Sequence, residues 1–134
     1  MILGVGTDLC DVGRIERALE RFGERFAERI LVPSELERFR RHRKRAAYLA
    51  KRFAAKEAFS KALGTGIRFP VNWHSVWVEN ERSGKPSLKF SRPLAAFLKR
   101  RGIENVHVSL TDEIGMACAF VVVEGAAPRA RRKR

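Results

Sequence analysis

Three side chains in this sequence could do phosphate chemistry together: Asp8, Glu57 and Lys61. Asp8 lies near the end of the apolar run MILGVGTDLC. Strand alternation would put Gly4, Gly6 and Asp8 on one face. Glycines beside an acid leave room for something bulky to approach it, although an Asp at a strand end is also an ordinary turn former. Glu57 and Lys61 lie in RFAAKEAFSKALGTGI, residues 52–67. At about 100° per residue of helix, Leu49, Phe53, Glu57 and Lys61 follow one drifting line. The carboxylate therefore continues an apolar row and belongs at the edge of a core. A solvated Glu57–Lys61 pair would add only about 0.2–0.5 kcal/mol. This helix offers little solvated face, and a buried charge needs a partner. Arg45, Arg52 and Lys56 fall on a second stripe bordered by Phe59 and Leu63. Gly64 is a natural helix C-cap, while the amides of Gly64-Thr65-Gly66 could also hold a phosphate. Two carboxylates can share Mg²⁺, which is commonly held by one or two carboxylates, waters and substrate phosphates. Arg and Lys nearby would neutralise the rest of a polyphosphate.

The elements that must position these groups follow from periodicity. MILGVGTDLC reads as a strand. In DVGRIERALERFGERFAERIL, apolar residues Ile15, Leu19, Phe22, Phe26 and Ile30 recur at helical spacing, and Gly23 divides the segment into two helices. VPSELERFRR predicts a short helix capped by Ser34, with Glu37 completing a capping box. The long helix runs from about Arg43 to Leu63, and its many alanines let neighbours come close. HSVWVEN and PSLKF read as strands around the turn ERSGKP. Pro93 opens another helix closed by Gly102. NVHVSLTDE and MACAFVVVE form a last hairpin. Strands and helices mix without strict alternation and no repeat is visible, so the expected class is α+β.

The bulk numbers bound what such a chain can be. Its 134 residues fit one domain, expected over 1–125, with 126–134 a basic and disordered tail. Two cysteines, Cys10 and Cys118, without a Cys/His cluster suggest neither a disulfide framework nor a zinc site. No apolar run reaches the roughly 18 residues a membrane span needs, and the first strand does not resemble a secretion signal. A cytoplasmic location and no membrane partner are expected. Lys and Arg outnumber Asp and Glu by 28 to 15, a net charge of +13. Five of those charges sit in the terminal RARRKR, which leaves +8 on the rest. Such a chain suits an acidic partner: nucleic acid, an acidic protein or a phosphorylated small molecule.

GVGTDLCDVGRIERAL with FAAKEAFSKALGTGI resembles the small-type 4′-phosphopantetheinyl transferases, in particular the branch that modifies acyl carrier protein. The match runs nearly end to end, with GKP at 84–86 and VHVSLTDE at 106–113 in the family's order. It does not reach the basic tail. The resemblance implies the phosphopantetheinyl transferase fold, an antiparallel sheet packed against a long central helix. It also implies a homotrimer with active sites between protomers. The implied reaction moves the phosphopantetheine arm of coenzyme A onto a serine of apo-acyl carrier protein in fatty acid biosynthesis, with Mg²⁺ as cofactor. Asp8 and Glu57 take the family's metal-ligand positions, and Lys61 that of the lysine approaching the pyrophosphate. Gly64, Gly66 and Pro86 fall in regions lining the coenzyme site, and Arg45 and Arg52 are expected among its contacts. Arg14, Arg21 and Arg25 match or neighbour the basic residues that receive the carrier's acidic helix, with Arg29 close by. Glu57, directly or through water, is the candidate to take the serine proton. Some members carry a histidine where this chain has Asp112, so a base role does not transfer to it. His107 would face the other side of that strand.

A second reading treats the chain as a basic nucleic-acid-binding module. RFRRHRKR (38–45) and RARRKR are runs that bind phosphate backbones. No recognition-helix, zinc-finger or RNP-like pattern accompanies them, so no specific nucleic acid is expected.

Overall fold

The first ten-residue strand, β1 (Ile2–Asp11), sits at one side of a three-stranded antiparallel sheet in the order β1-β5-β4. Its partners are β4 (Ile103–Glu113) and β5 (Met116–Gly125), joined by the tight turn Ile114-Gly115, both at positive φ. The computed structural model describes residues 1–127; residues 128–134, which hold the basic run expected to be disordered, lie outside the described residues. No helix among the described residues is long and apolar enough to cross a membrane.

Asp11 caps the first helix, α1 (Val12–Phe22), by accepting from the Gly13 amide at 2.8 Å. Gly23, at φ 67°, separates it from α2 (Glu24–Ile30). Ile15 and Ile30 are buried as their spacing requires, but Phe22 is 56% exposed. It occupies the last position of α1, where the chain turns at Gly23. The expected Ser34–Glu37 capping box does not form. Pro33 takes the first turn of α3 (Pro33–Arg41), Val32 is the cap, and Glu35 accepts from the Val32 amide at 3.1 Å. A proline at N1 shifts the register by two residues because its missing N–H is harmless only there.

The 19-residue α4 (Arg45–Leu63) lies across the sheet. Its alanines Ala54, Ala55, Ala58 and Ala62 are buried, and the last two meet glycines of β1. A Cβ placed on Gly6 would fall on the Ala58 carbonyl, and one on Gly4 on that of Ala62. The space those glycines leave beside Asp8 is therefore filled by α4 itself. Gly64 ends the helix in the left-handed conformation, φ 73°. A separate two-stranded sheet pairs β2 (Val76–Asn80) with β3 (Pro86–Phe90), and α5 (Arg92–Arg100) leads back to β4. The buried core runs from α4 to the inner faces of β4 and β5, through Val108, Ala117, Ala119, Val121 and Val123. The opposite sheet face carries Leu3, Val5, Leu9, Met116 and Phe120, all exposed.

Candidate active site

Asp8 and the last turns of α4 meet because two glycines let the helix backbone touch the strand. Lys61 Nζ donates to Asp8 Oδ1 at 2.9 Å and to the Thr7 carbonyl at 3.1 Å. The Lys61 side chain is 53% exposed and that of Asp8 14%. Glu57 stands one helical turn before Lys61, half-buried at the core's edge as its place in the apolar row predicts. Among the described residues its carboxylate has no side-chain or backbone tie, while its carbonyl accepts from Ser60 Oγ at 2.7 Å. Burial pushes the Glu57 carboxyl above the usual carboxylate range, the nearby Asp8 carboxylate pushes the same way, and Lys61 opposes both. Two carboxylates that repel each other at a partly open edge form a site short of positive charge.

That deficit fits a divalent cation. No group of three or more His, Cys, Asp or Glu side chains is arranged for a metal among the described residues. A cation here would complete its shell with waters and substrate oxygens, which suits magnesium rather than structural zinc. Cys10, on the same strand face, is no competing nucleophile: burial, followed by the charge of Asp8, raises its thiol to about 11.

The other candidate residues are distributed around this centre. The amides of Gly64, Thr65 and Gly66 turn back onto the Lys61 and Ser60 carbonyls at 3.0, 3.2 and 3.3 Å. They form the helix cap, and no free phosphate cradle results. Arg45 is exposed at the far end of α4. Arg52 is buried, its Nε 3.7 Å from Glu35 Oε2 and its guanidinium 3.8 Å above the Tyr48 ring. Pro86 is half-buried at the start of β3. Arg14, Arg21 and Arg25 are exposed. Arg21, Phe22, Arg25, Phe26 and Arg29 line a cavity of about 420 Å³, so the basic face has an apolar floor.

Neither of the ion pairs made by β4 was foreseen. Lys51 Nζ lies 3.0 Å from Asp112 Oδ1, which ties that carboxylate to α4. His107 pairs with Glu124 at 2.6 Å on the other sheet face, as strand alternation requires. The larger omission is Glu35, which is 1% exposed and engaged by Lys56 Nζ at 2.7 Å. Pro33 two residues earlier was a usable signal for it. So were cations on a helix face otherwise too apolar to solvate them.

Residues 4–119 match the model of the 4′-phosphopantetheinyl transferase superfamily. The chain is 50% identical over 129 residues to a holo-[acyl-carrier-protein] synthase of Methylibium petroleiphilum, covering 92% of this chain and 97% of that protein. The crystal structure of the holo-[acyl-carrier-protein] synthase from Neisseria meningitidis superposes with a TM-score of 0.90 at 46% identity, over 92% of this chain and 99% of that one. The Bacillus anthracis synthase, solved in complex with CoA (3′,5′-ADP), gives a TM-score of 0.79 at 36% identity over 94% and 99% of the two chains. Sequence and backbone course agree over most of the chain, and the chain belongs to the 4′-phosphopantetheinyl transferase superfamily.

Proposed function

We propose that the chain transfers the 4′-phosphopantetheine group of coenzyme A to a serine of apo-acyl carrier protein, releasing adenosine 3′,5′-bisphosphate. The observation that carries this is the meeting of Asp8, Glu57 and Lys61, with the Glu57 carboxyl raised by burial and by Asp8. The names of the relatives and the coenzyme-bound neighbour support it. Asp8 and Glu57 would hold Mg²⁺. When bound, that ion would draw charge from the pyrophosphate oxygens as the nucleotide leaves. Lys61, now on Asp8, is long and exposed enough to turn to a phosphate oxygen. Glu57, with a carboxyl shifted toward neutrality, is suited to accept the serine proton, directly or through water.

The remaining assignments belong to the same reading. Arg14, Arg21 and Arg25 on α1 and α2 would receive the acidic carrier, with the apolar floor beside them accepting its less polar residues. Arg45, Arg52, Gly64, Gly66 and Pro86 would line the coenzyme site; for Arg52 this means contact through the guanidinium edge left free of Glu35. A homotrimer with sites between protomers is supported by the exposed apolar sheet face of Leu3, Val5, Leu9 and Phe120, since monomers rarely leave such a face bare. The reaction would serve fatty acid biosynthesis in the cytoplasm.

The test is mass spectrometry of apo-carrier protein incubated with coenzyme A, Mg²⁺ and this chain. A gain of one phosphopantetheine group is expected. Tight, sequence-selective binding of nucleic acid with no such gain would return the basic-module reading.

A further inference from the structure

The Lys56 ammonium on α4 faces away from the reacting groups, yet all of its donors are engaged. Lys56 is fully buried one residue before Glu57. Its ammonium donates to the Ile30 carbonyl at 2.6 Å, to Glu35 Oε1 at 2.7 Å and to the Trp73 carbonyl at 2.7 Å. An ammonium has three protons, so all are used. Glu35 also accepts from the Val32 amide at 3.1 Å and the Val78 amide at 3.0 Å. Tyr48 Oη donates to the Glu35 carbonyl at 3.0 Å. One buried cluster thus joins α4 to the end of α2, the start of α3, the segment before β2, and β2 itself.

Stability does not explain it. Replacing a buried ion pair with apolar residues of similar volume is often neutral or stabilising. What the cluster supplies is direction. The face of α4 against β1 is alanine on glycine, with few side chains to interlock, so apolar packing there specifies rotation weakly. Hydrogen bonds are directional and apolar contact is not. A carboxylate about 6 Å from a helix axis moves by about 1 Å when the helix turns by about 10°. A displacement of about 1 Å at a catalytic group can cost about a hundredfold in rate.

We propose that the Glu35–Lys56 pair, with Tyr48 and Arg52 beside it, is a positioning device that sets the rotation and height of α4 and so aims Glu57 and Lys61 at Asp8. This rests on the transferase reading above. Lys56 and Glu35 act through Glu57 and Lys61 and touch no reacting atom. The pair lies on the far side of α4 from the sheet, where it can hold the helix without entering the site.

The test is the double variant Glu35→Gln with Lys56→Met, which removes both charges of the pair and leaves Arg52 with Asn80 Oδ1 and the Tyr48 ring as its partners. Leu98→Ala on α5 serves as a control that lowers stability away from both clusters. Below the unfolding temperature of either protein, the double variant should bind coenzyme A within about twofold of wild type by calorimetry. Its kcat should fall about tenfold or more with little change in KM for coenzyme A. Leu98→Ala should keep kcat. A folded double variant with wild-type kcat overturns the positioning role, as does a loss of kcat that only tracks the folded fraction. If the double variant does not fold, Tyr48→Phe decides, because it deletes one bond and strands no charge. A kcat lowered about threefold at unchanged KM supports the role; an unchanged kcat overturns it. A wild-type chain that transfers no phosphopantetheine overturns the functional reading itself, whereas a working wild type matched by the variants overturns only this inference.

Discussion

Helix α4 carries two charged clusters built from the same residue types, and they have opposite characters. On one side Glu35, Lys56 and Arg52 are closed off from water, with every ammonium proton of Lys56 engaged. On the other, Asp8, Glu57 and Lys61 sit at an edge, one carboxylate bonded and the other left without a tie. In the closed cluster Lys56 and Glu35 satisfy each other, and Arg52 adds a second cation beside the same carboxylate. In the open cluster two acids face one lysine, and the deficit of positive charge persists. A carboxylate with its partners already in place has nothing to offer a substrate; one held short of partners does. Composition does not separate the two cases. Burial and the count of opposing charges do.

The largest effect should come from breaking the closed cluster. Glu35→Ala leaves the Lys56 ammonium buried without its anion and should cost about 3–5 kcal/mol in urea unfolding, whereas Lys61→Met at the exposed pair should cost no more than about 1 kcal/mol. Equal costs would mean that the contrast in burial does not govern energetics here. Next in size is the chemical effect of the open cluster. Asp8→Ala and Glu57→Ala should each lower transfer about a hundredfold or more while circular dichroism and unfolding midpoint stay near wild type. Chelation of Mg²⁺ should mimic them in the wild type. Either variant retaining near wild-type turnover at saturating Mg²⁺ would remove the shared-metal assignment.

The smallest effect sharpens the contrast through pH. The Glu57 carboxyl titrates above its unfolded value because of burial and Asp8. Between those two values the folded chain holds the extra proton, so stability falls as pH rises through that window. In the metal-free chain, Glu57→Gln should therefore shift the urea midpoint upward at neutral pH. The advantage should shrink to nothing below the ordinary carboxylate range. A gain that persists at acid pH would point to packing rather than charge.

Much of this arrangement is visible in the sequence because it is local. Alternation put Gly4, Gly6 and Asp8 on one face, and helical spacing put Glu57 at the core's edge. Gly23, Gly64 and the turns before β3 and β5 mark their boundaries by composition. What escaped depends on residues far apart in the chain. Lys56 and Arg52 looked like part of a basic stripe because their anion, Glu35, lies 21 and 17 residues away on another helix. A longer separation in the chain hid the Lys51–Asp112 pair. The room beside Asp8 was read correctly from the glycines, but its occupant, the α4 backbone, depends on how the helix docks. The cap of α3 was misplaced for a local reason: Ser34 and Glu37 fit the capping pattern, and Pro33 outweighs it by restricting which residue can precede the first turn.

The contact of Gly4 and Gly6 with the Ala62 and Ala58 carbonyls has a consequence for motion. Most elements touch through side chains, which hop between rotamers on picosecond to nanosecond timescales and let the spacing breathe. Here backbone rests on backbone, and there is no rotamer to hop. The span from the strand that carries Asp8 to the helix that carries Glu57 is set by peptide planes, whose only soft coordinates are dihedrals already fixed within a sheet and a helix. The separation of strand and helix should therefore fluctuate little, which leaves rotation of α4 and the free end of Lys61 as the motions that remain.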